Sequence, residues 1–352
     1  MIPRRPTRTL HVGDVAVGGD APIPVQSMNS TDTRDVGATL RQLHRLAEAG
    51  CNISRLAVPD REAVAALPAI LAATPLPLVA DVHYDYRLAL GAIDAGIHAL
   101  RINPGNWSSR DGIVAVARRA GERGIPIRVG VNAGSLKRDV VDRFGGVTPD
   151  ALSFSALESA ALLNEAGFDD ICLSVKASDP WLMIEANRRL SAATDYPIHL
   201  GVTEAGTPYE GVIRSSVGIG TLLAEGIGDT IRVSLTADPI EEIRAGRALL
   251  KALNLTNRGG VLISCPTCGR TKVDLIELAG KVEAYLATLE QPIKVAVMGC
   301  AVNGPGEARE ADLGVAGGDG EFLLFAKGEI IGKIPEADVY PRLIEEIERL
   351  LR

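Results

Sequence analysis

Aromatic residues make up only 4% of this 352-residue chain, and it has only five cysteines. An odd, sparse cysteine set argues against a disulfide framework and for reduced thiols. Long apolar runs are also missing. None approaches the ~18–20 residues of a membrane span, and the opening "MIPRRPTRTLHVGDV" lacks the apolar stretch and cleavage site of a secretion signal. The expectation is a cytoplasmic protein with no membrane partner. Positive charge is not in excess either. A net charge of -7 argues against a general nucleic-acid binder, while leaving room for a local basic pocket around a small phosphorylated ligand.

What the chain does have is aliphatic residues and turns. It is 46% hydrophobic, with 37 glycines and 20 prolines, a mix suited to an α/β fold rather than to disorder. Its length exceeds one average domain, although an α/β barrel alone occupies about 250 residues. Eight strand-like runs, "IPVQSM", "ISRLAV", "LPLVADV", "HALRINP", "PIRVGVN", "DICLSVK", "PIHLGVT" and "TIRVSLT", alternate with helical stretches. Most are rich in Val, Ile and Leu, as parallel strands covered on both faces should be. In "VGATLRQLHRLAEAG", Leu40, Leu43, Leu46 and Ala47 share one helical face and Gly50 ends the helix. The acidic-Ala-Gly close returns at Asp94, Glu165 and, loosely, Ala224. The pattern predicts a (β/α)8 TIM-type barrel over residues 1–256, with an open doubly wound sheet as the alternative. Residues 257–352 read as a smaller α+β unit after the linker "NLTNRGG". It comprises the strand "VLIS", the helix "VDLIELAGKVEAYLATLE", the strand "IKVAVMG", a glycine-rich loop "CAVNGPGEAREADLGVAGGDG", the hairpin "EFLLFAKGEIIGKI" and a closing helix.

In such barrels the active site lies at the C-terminal ends of the strands. Polar residues at those ends are Gln26, Asn29, Arg55, Asp81, His83, Arg101, Asn103, Asn106, Arg128, Asn132, Lys176, His199, Thr203, Glu204, Arg232 and Ser234. Five are Arg or Lys. A cation inside an apolar strand such as "ALRIN" or "LSVKA" is costly unless an anion offsets it. A diphosphate would do so through bidentate guanidinium contacts, as would an internal Asp or Glu. Glu204 is a candidate acid/base group or the internal partner of an arginine.

The second unit holds "SCPTCGRTKVDL", placing Cys265 three positions before Cys268, and "MGCAVNGPGE", which carries Cys300. A lone C-x-x-C serves zinc, iron-sulfur or redox chemistry. No histidine follows His199, so a closed zinc site would lack its fourth ligand. Three thiolates are a common complement for a four-iron cluster whose fourth iron is open or takes an oxygen donor. Glu307 is the nearest such donor, ahead of Glu310 and Asp312. Cys51 and Cys172 read as small apolar core residues.

These cysteine segments, with "VQSMNSTDT", "ADVHYDYRLAL", "LRINPGN", "RVGVNAGSL" and "HLGVTEAG", resemble the 4-hydroxy-3-methylbut-2-enyl diphosphate synthase family in its two-domain bacterial form. The resemblance covers nearly the whole chain. It implies reductive ring opening and dehydroxylation of 2-C-methyl-D-erythritol 2,4-cyclodiphosphate, with ferredoxin or flavodoxin as electron donor. It implies one [4Fe-4S] cluster per chain on Cys265, Cys268, Cys300 and Glu307. Diphosphate binding falls on Arg55, Arg101, Arg128, Lys176 and Arg232, with Asn103 and Asn132 in support and Glu204 handling protons. His83 and Ser234 join the substrate-binding candidates. A head-to-tail homodimer is expected as well, because the eighth helix returns to the bottom of the barrel while the arginines lie at its top. The competing reading is a barrel lyase or transferase acting on a phosphorylated or pterin-like substrate, with a structural zinc module.

Overall fold

The structure, a computed structural model, describes residues 2–103, 107, 109–256, 259–301, 306 and 308–352. The chain divides into two compact units, Met1–Leu255 and Thr256–Arg352.

The first unit opens with an antiparallel hairpin, β1 (Thr9–Val12) and β2 (Val15–Gly18), that turns at Gly13. Eight parallel strands follow: β3 (Gln26–Met28), β4 (Ile53–Ala57), β5 (Leu78–Asp81), β6 (Ala99–Ile102), β7 (Ile127–Asn132), β8 (Ile171–Lys176), β9 (His199–Leu200) and β10 (Thr230–Ile231). The helices are α1 (Val36–Glu48), α2 (Arg61–Leu71), α3 (Tyr86–Asp94), α4 (Arg110–Arg123), α5 (Arg138–Arg143), α6 (Pro149–Glu165), α7 (Pro180–Ala193), α8 (Pro208–Ala224) and α9 (Pro239–Ala252). Strands β3 to β8 pair in sequence order and β9 pairs with β10. Single parallel bridges, Leu173 to Ile198 and Val25 to Ile231, close the ring. β9 and β10 are shorter than their apolar runs suggest, because the chain leaves the ladder at Gly201 and Arg232 to build the mouth.

Local chemistry sets the helix ends. Asp35, Asp60, Asp85, Ser109, Thr148, Asp179 and Asp238 each accept a first-turn backbone N–H, meeting donors that have no partner within the helix. Gly50, Gly96, Gly167 and Gly226 take positive φ after α1, α3, α6 and α8, where a side chain would be strained.

The hairpin was not legible as a structural element in the sequence. Its Leu10, Val12 and Val17 pack on Ile53, Val79, Ala99 and Cys172, sealing the end of the barrel from which the strands start. Cys51 and Cys172 are both buried, and burial pushes each thiol up to about 12. Helix α9 returns to that same end, where Arg247 packs against Gly50 in the turn before β4.

The second unit is a five-stranded sheet ordered β11 (Gly260–Ser264), β12 (Ile293–Met298), β13 (Leu313–Gly317), β14 (Glu321–Ala326) and β15 (Glu329–Pro335), with α10 (Leu275–Leu286) and α11 (Val339–Leu351). The first three strands are parallel and the last two form the expected hairpin. β13 corrects the reading of residues 300–320 as loop. Its five residues are all buried, and Gly314 is required because a Cβ there would lie 2.4 Å from the Phe325 ring. Glycine in this strand marks close packing rather than a turn. Asn257 and Arg258 of the linker lie outside the described residues.

Candidate active site

Parallel register brings the strand-end cations to one level. Asp81, Arg101, Arg128 and Cys172 are successive lateral neighbours across β5 to β8, and Asn132 stands beside Lys176. The side chains of Asp81, Arg101, Arg128, Asn132 and Lys176 meet in a cavity of about 200 Å³ lined also by Arg55, His83, Ser174, Thr203, Arg232 and Ser234. Ten of these eleven the sequence had singled out by strand-end position; Ser174, inside β8, is the exception.

Two carboxylates organise the cations. Asp81 lies 3.1 Å from Arg101, 3.5 Å from Arg55 and 3.5 Å from His83 Nε2. Burial would raise its pKa, but Arg55, the hydrogen bond from His83 and Arg101 outweigh that and hold the carboxyl below the usual range. Arg232 donates to Glu242 at 3.1 Å, and Glu242 also accepts from the Ser27 hydroxyl and the Leu235 backbone N–H. Arg128 donates to Gln26 Oε1 at 2.7 Å, whose amide donates to Thr230 Oγ1 at 3.0 Å. Arg55 donates to Met28 Sδ. Burial is the main cause of the lowered pKa at Arg55, Arg128 (to about 10) and Lys176. Five cations thus face two carboxylates, and the excess is the signature of a site shaped for an anion of two or more charges.

Two glycines make room for this crowding. A Cβ on Gly130 would lie 2.5 Å from Arg101 Nε, and one on Gly201 would lie 2.7 Å from Lys176 Nζ. Glu242 was missed in the sequence, where "DPIEEI" reads as an ordinary acidic first turn of a helix. The glycines did leave a signal, as small residues inside buried strands.

Other candidates sit apart from the cavity lining. Asn103 is buried just after β6. Glu204 is exposed in the loop after β9 with φ +55, a conformation that costs a non-glycine residue about 1 kcal/mol and often marks a functional position. His199 is buried with neither ring nitrogen hydrogen-bonded, and burial among Arg128, Lys176, Arg55 and Arg232 keeps its imidazole neutral.

In the second unit, Cys265 follows β11 and Cys300 follows β12, two parallel strands whose ends pair Ser264 with Val297. The Gly299 backbone N–H donates to Cys265 Sγ at 3.3 Å, and Lys272 N–H donates to Gly299 O, tying the two loops together. Cys268 is exposed, and hydrogen bonds from the Arg270 backbone, then its side chain, lower its pKa toward the thiolate. Thiolates held partly by backbone N–H groups suit an iron-sulfur cluster. Among the described residues no three metal-binding groups are gathered into a closed cage, and Glu307 and Asn106 lie outside them.

Residues 7–247 match the GcpE TIM-barrel domain, and residues 261–349 match the GcpE protein C-terminal domain. The chain belongs to the GcpE family. It is 56% identical over 347 residues to the 4-hydroxy-3-methylbut-2-en-1-yl diphosphate synthase (flavodoxin) of Clostridium tetani, covering 99% of each. The protein of the same name from Clostridium perfringens is 55% identical, again over 99% of each chain. Among solved structures, the spore coat polysaccharide biosynthesis protein spsE of Bacillus subtilis superposes with a TM-score of 0.51 at 12% identity, over 70% of this chain and 73% of that one. That likeness concerns the barrel fold alone. No helix among the described residues is long and apolar enough to cross a membrane.

Proposed function

We propose that this GcpE-family chain reduces 2-C-methyl-D-erythritol 2,4-cyclodiphosphate to (E)-4-hydroxy-3-methylbut-2-enyl diphosphate, consuming two electrons and two protons and releasing water. The observation that carries the reading is the uncompensated cationic cavity at the barrel mouth, and the names of the relatives supply the substrate class. Arg55, Arg101, Arg128, Arg232 and Lys176 clamp the two phosphates, while Asn103, Asn132, His83 and Ser234 donate hydrogen bonds around them. Asp81 and Glu242 hold three of the arginines in place before substrate arrives, so little reorganisation accompanies binding. Glu204 carries a proton to the leaving oxygen.

Cys265, Cys268, Cys300 and Glu307 would hold one [4Fe-4S] cluster per chain. When bound, such a cluster supplies electrons singly and a Lewis-acidic iron. Flavodoxin is the electron donor that the relatives' names indicate, and the cytoplasm is where such a pair would meet. The catalytic unit is a head-to-tail homodimer in which the second unit of one chain serves the barrel of the other. Anaerobic assay of the cyclodiphosphate with a strong one-electron reductant, alongside iron and sulfide analysis, tests the reading. Turnover with about four irons per chain supports it, and bound zinc without iron or sulfide overturns it in favour of a barrel enzyme with a structural zinc module.

A further inference from the structure

One cation at the barrel mouth stands apart from the others. Lys176 ends β8, is 7% exposed and, among the described residues, makes no hydrogen bond or ion pair. The groups facing it come from every side of the barrel. They are Arg55 from β4, Arg101 from β6, Arg128 and Asn132 from β7, His199 from β9, Gly201 and Thr203 beyond β9, and Arg232 and Ser234 beyond β10. The two nearby carboxylates are committed elsewhere, Asp81 to Arg55, Arg101 and His83, and Glu242 to Arg232, Ser27 and the Leu235 N–H. Gly201 leaves room for the amine, because a Cβ there would sit 2.7 Å from Nζ and 2.8 Å from the Arg232 carbonyl oxygen.

Crowding five cations into a buried space without enough anions favours loss of a proton from one of them. A guanidinium does not release a proton in proteins, whereas a buried lysine amine does so readily. Burial, then repulsion by Arg55, Arg232, Arg128 and Arg101, lowers the affinity of Lys176 for its proton, consistent with that choice. We propose that Lys176 is the proton-accepting member of the anion site: it is uncharged in the anion-free barrel and takes up one proton as the anion seats. The N–H bond formed takes its proton from solvent, and the resulting ammonium donates to a phosphate oxygen. The inference rests on reading the barrel mouth as an anion site. It adds that binding is coupled to protonation, so one proton enters the cavity with the substrate before reduction begins.

Both phosphates of the cyclodiphosphate are diester-like with only strongly acidic hydroxyls, as are those of cyclic trimetaphosphate, so neither anion exchanges protons near neutral pH. Titration calorimetry of the oxidised, anaerobically purified full chain with each anion, in buffers of low and high ionisation enthalpy at about pH 8, counts the protons taken up. About one proton per barrel is expected for the wild-type protein, falling toward zero in Lys176→Arg and in Lys176→Met. Wild-type affinity should also fall by up to about tenfold per pH unit above the free amine's pKa, and stay flat in Lys176→Arg. The proposal is overturned if the wild type binds anion without a buffer-dependent heat, if uptake survives in both lysine variants, or if neither anion binds. Binding of trimetaphosphate but not of the cyclodiphosphate, with uptake lost in the lysine variants, would sink the substrate assignment and leave the lysine's role standing.

Discussion

The barrel mouth and the cysteine module reach their chemistry by opposite routes. In the barrel, the functional cations come from different strands, and parallel register together with Asp81, Glu242 and Gln26 holds them in place. In the second unit the proposed ligands lie in two short segments, and the described residues form no preassembled cage. The contrast is physical. Repelling cations need a stiff scaffold and internal anions to be held together, whereas thiolates of the proposed cluster site would draw on metal binding for their final arrangement. Damage to the barrel should therefore appear in substrate binding and stability, and damage to the cysteines in redox chemistry alone.

The largest separation is expected from Cys300→Ser. Turnover should fall about 10³-fold or more, while cyclodiphosphate binding by calorimetry remains within a factor of a few. Next, Asp81→Asn strips the shared carboxylate from Arg55 and Arg101. Chemical denaturation should show a loss of about 3–5 kcal/mol, the cost of breaking a buried charge cluster from one side. Because its pKa is depressed in the fold, Asp81 stabilises above its unfolded pKa of about 3.9, and that contribution disappears as pH falls from there through the folded value. The acid limb of the stability profile should therefore flatten in Asp81→Asn. Gly130→Ala forces Arg101 from its seat, and roughly a tenfold rise in KM with little change in cluster content is the expected result. The smallest effect is at Glu204. Relieving its φ of +55 with Glu204→Gly should raise stability by about 0.5–1 kcal/mol even as turnover falls. A less stable variant would contradict the backbone strain, and an equally active one would remove Glu204 from the proton-handling role.

The same contrast explains what the sequence disclosed. All eight barrel strands were legible because burial on both faces leaves continuous aliphatic runs, and the cations interrupting them at the C-terminal ends marked the mouth. Glu242 was invisible because a helix start gives an acidic residue an ordinary explanation, and nothing in the sequence shows that its side chain turns back to Arg232. The plug formed by Leu10, Val12 and Val17 escaped notice because a four-residue strand is too short to show a period. β13 was hidden by the glycines that let it pack, which in a sequence look like turns. Cys265, Cys268 and Cys300 stood out through scarcity, since few other thiols compete for attention.

The proposed division of labour between the two units, and their proposed pairing across two chains, can be tested in one mixture. Arg101→Ala chains, with a damaged barrel and intact cysteines, are combined with Cys300→Ser chains, which carry the reverse defect. If each cysteine module serves the partner's barrel, random pairing restores about a quarter of wild-type turnover, because half of the dimers are mixed and each holds one complete site of two. Confirmed heterodimers with no more activity than either variant alone would contradict the account.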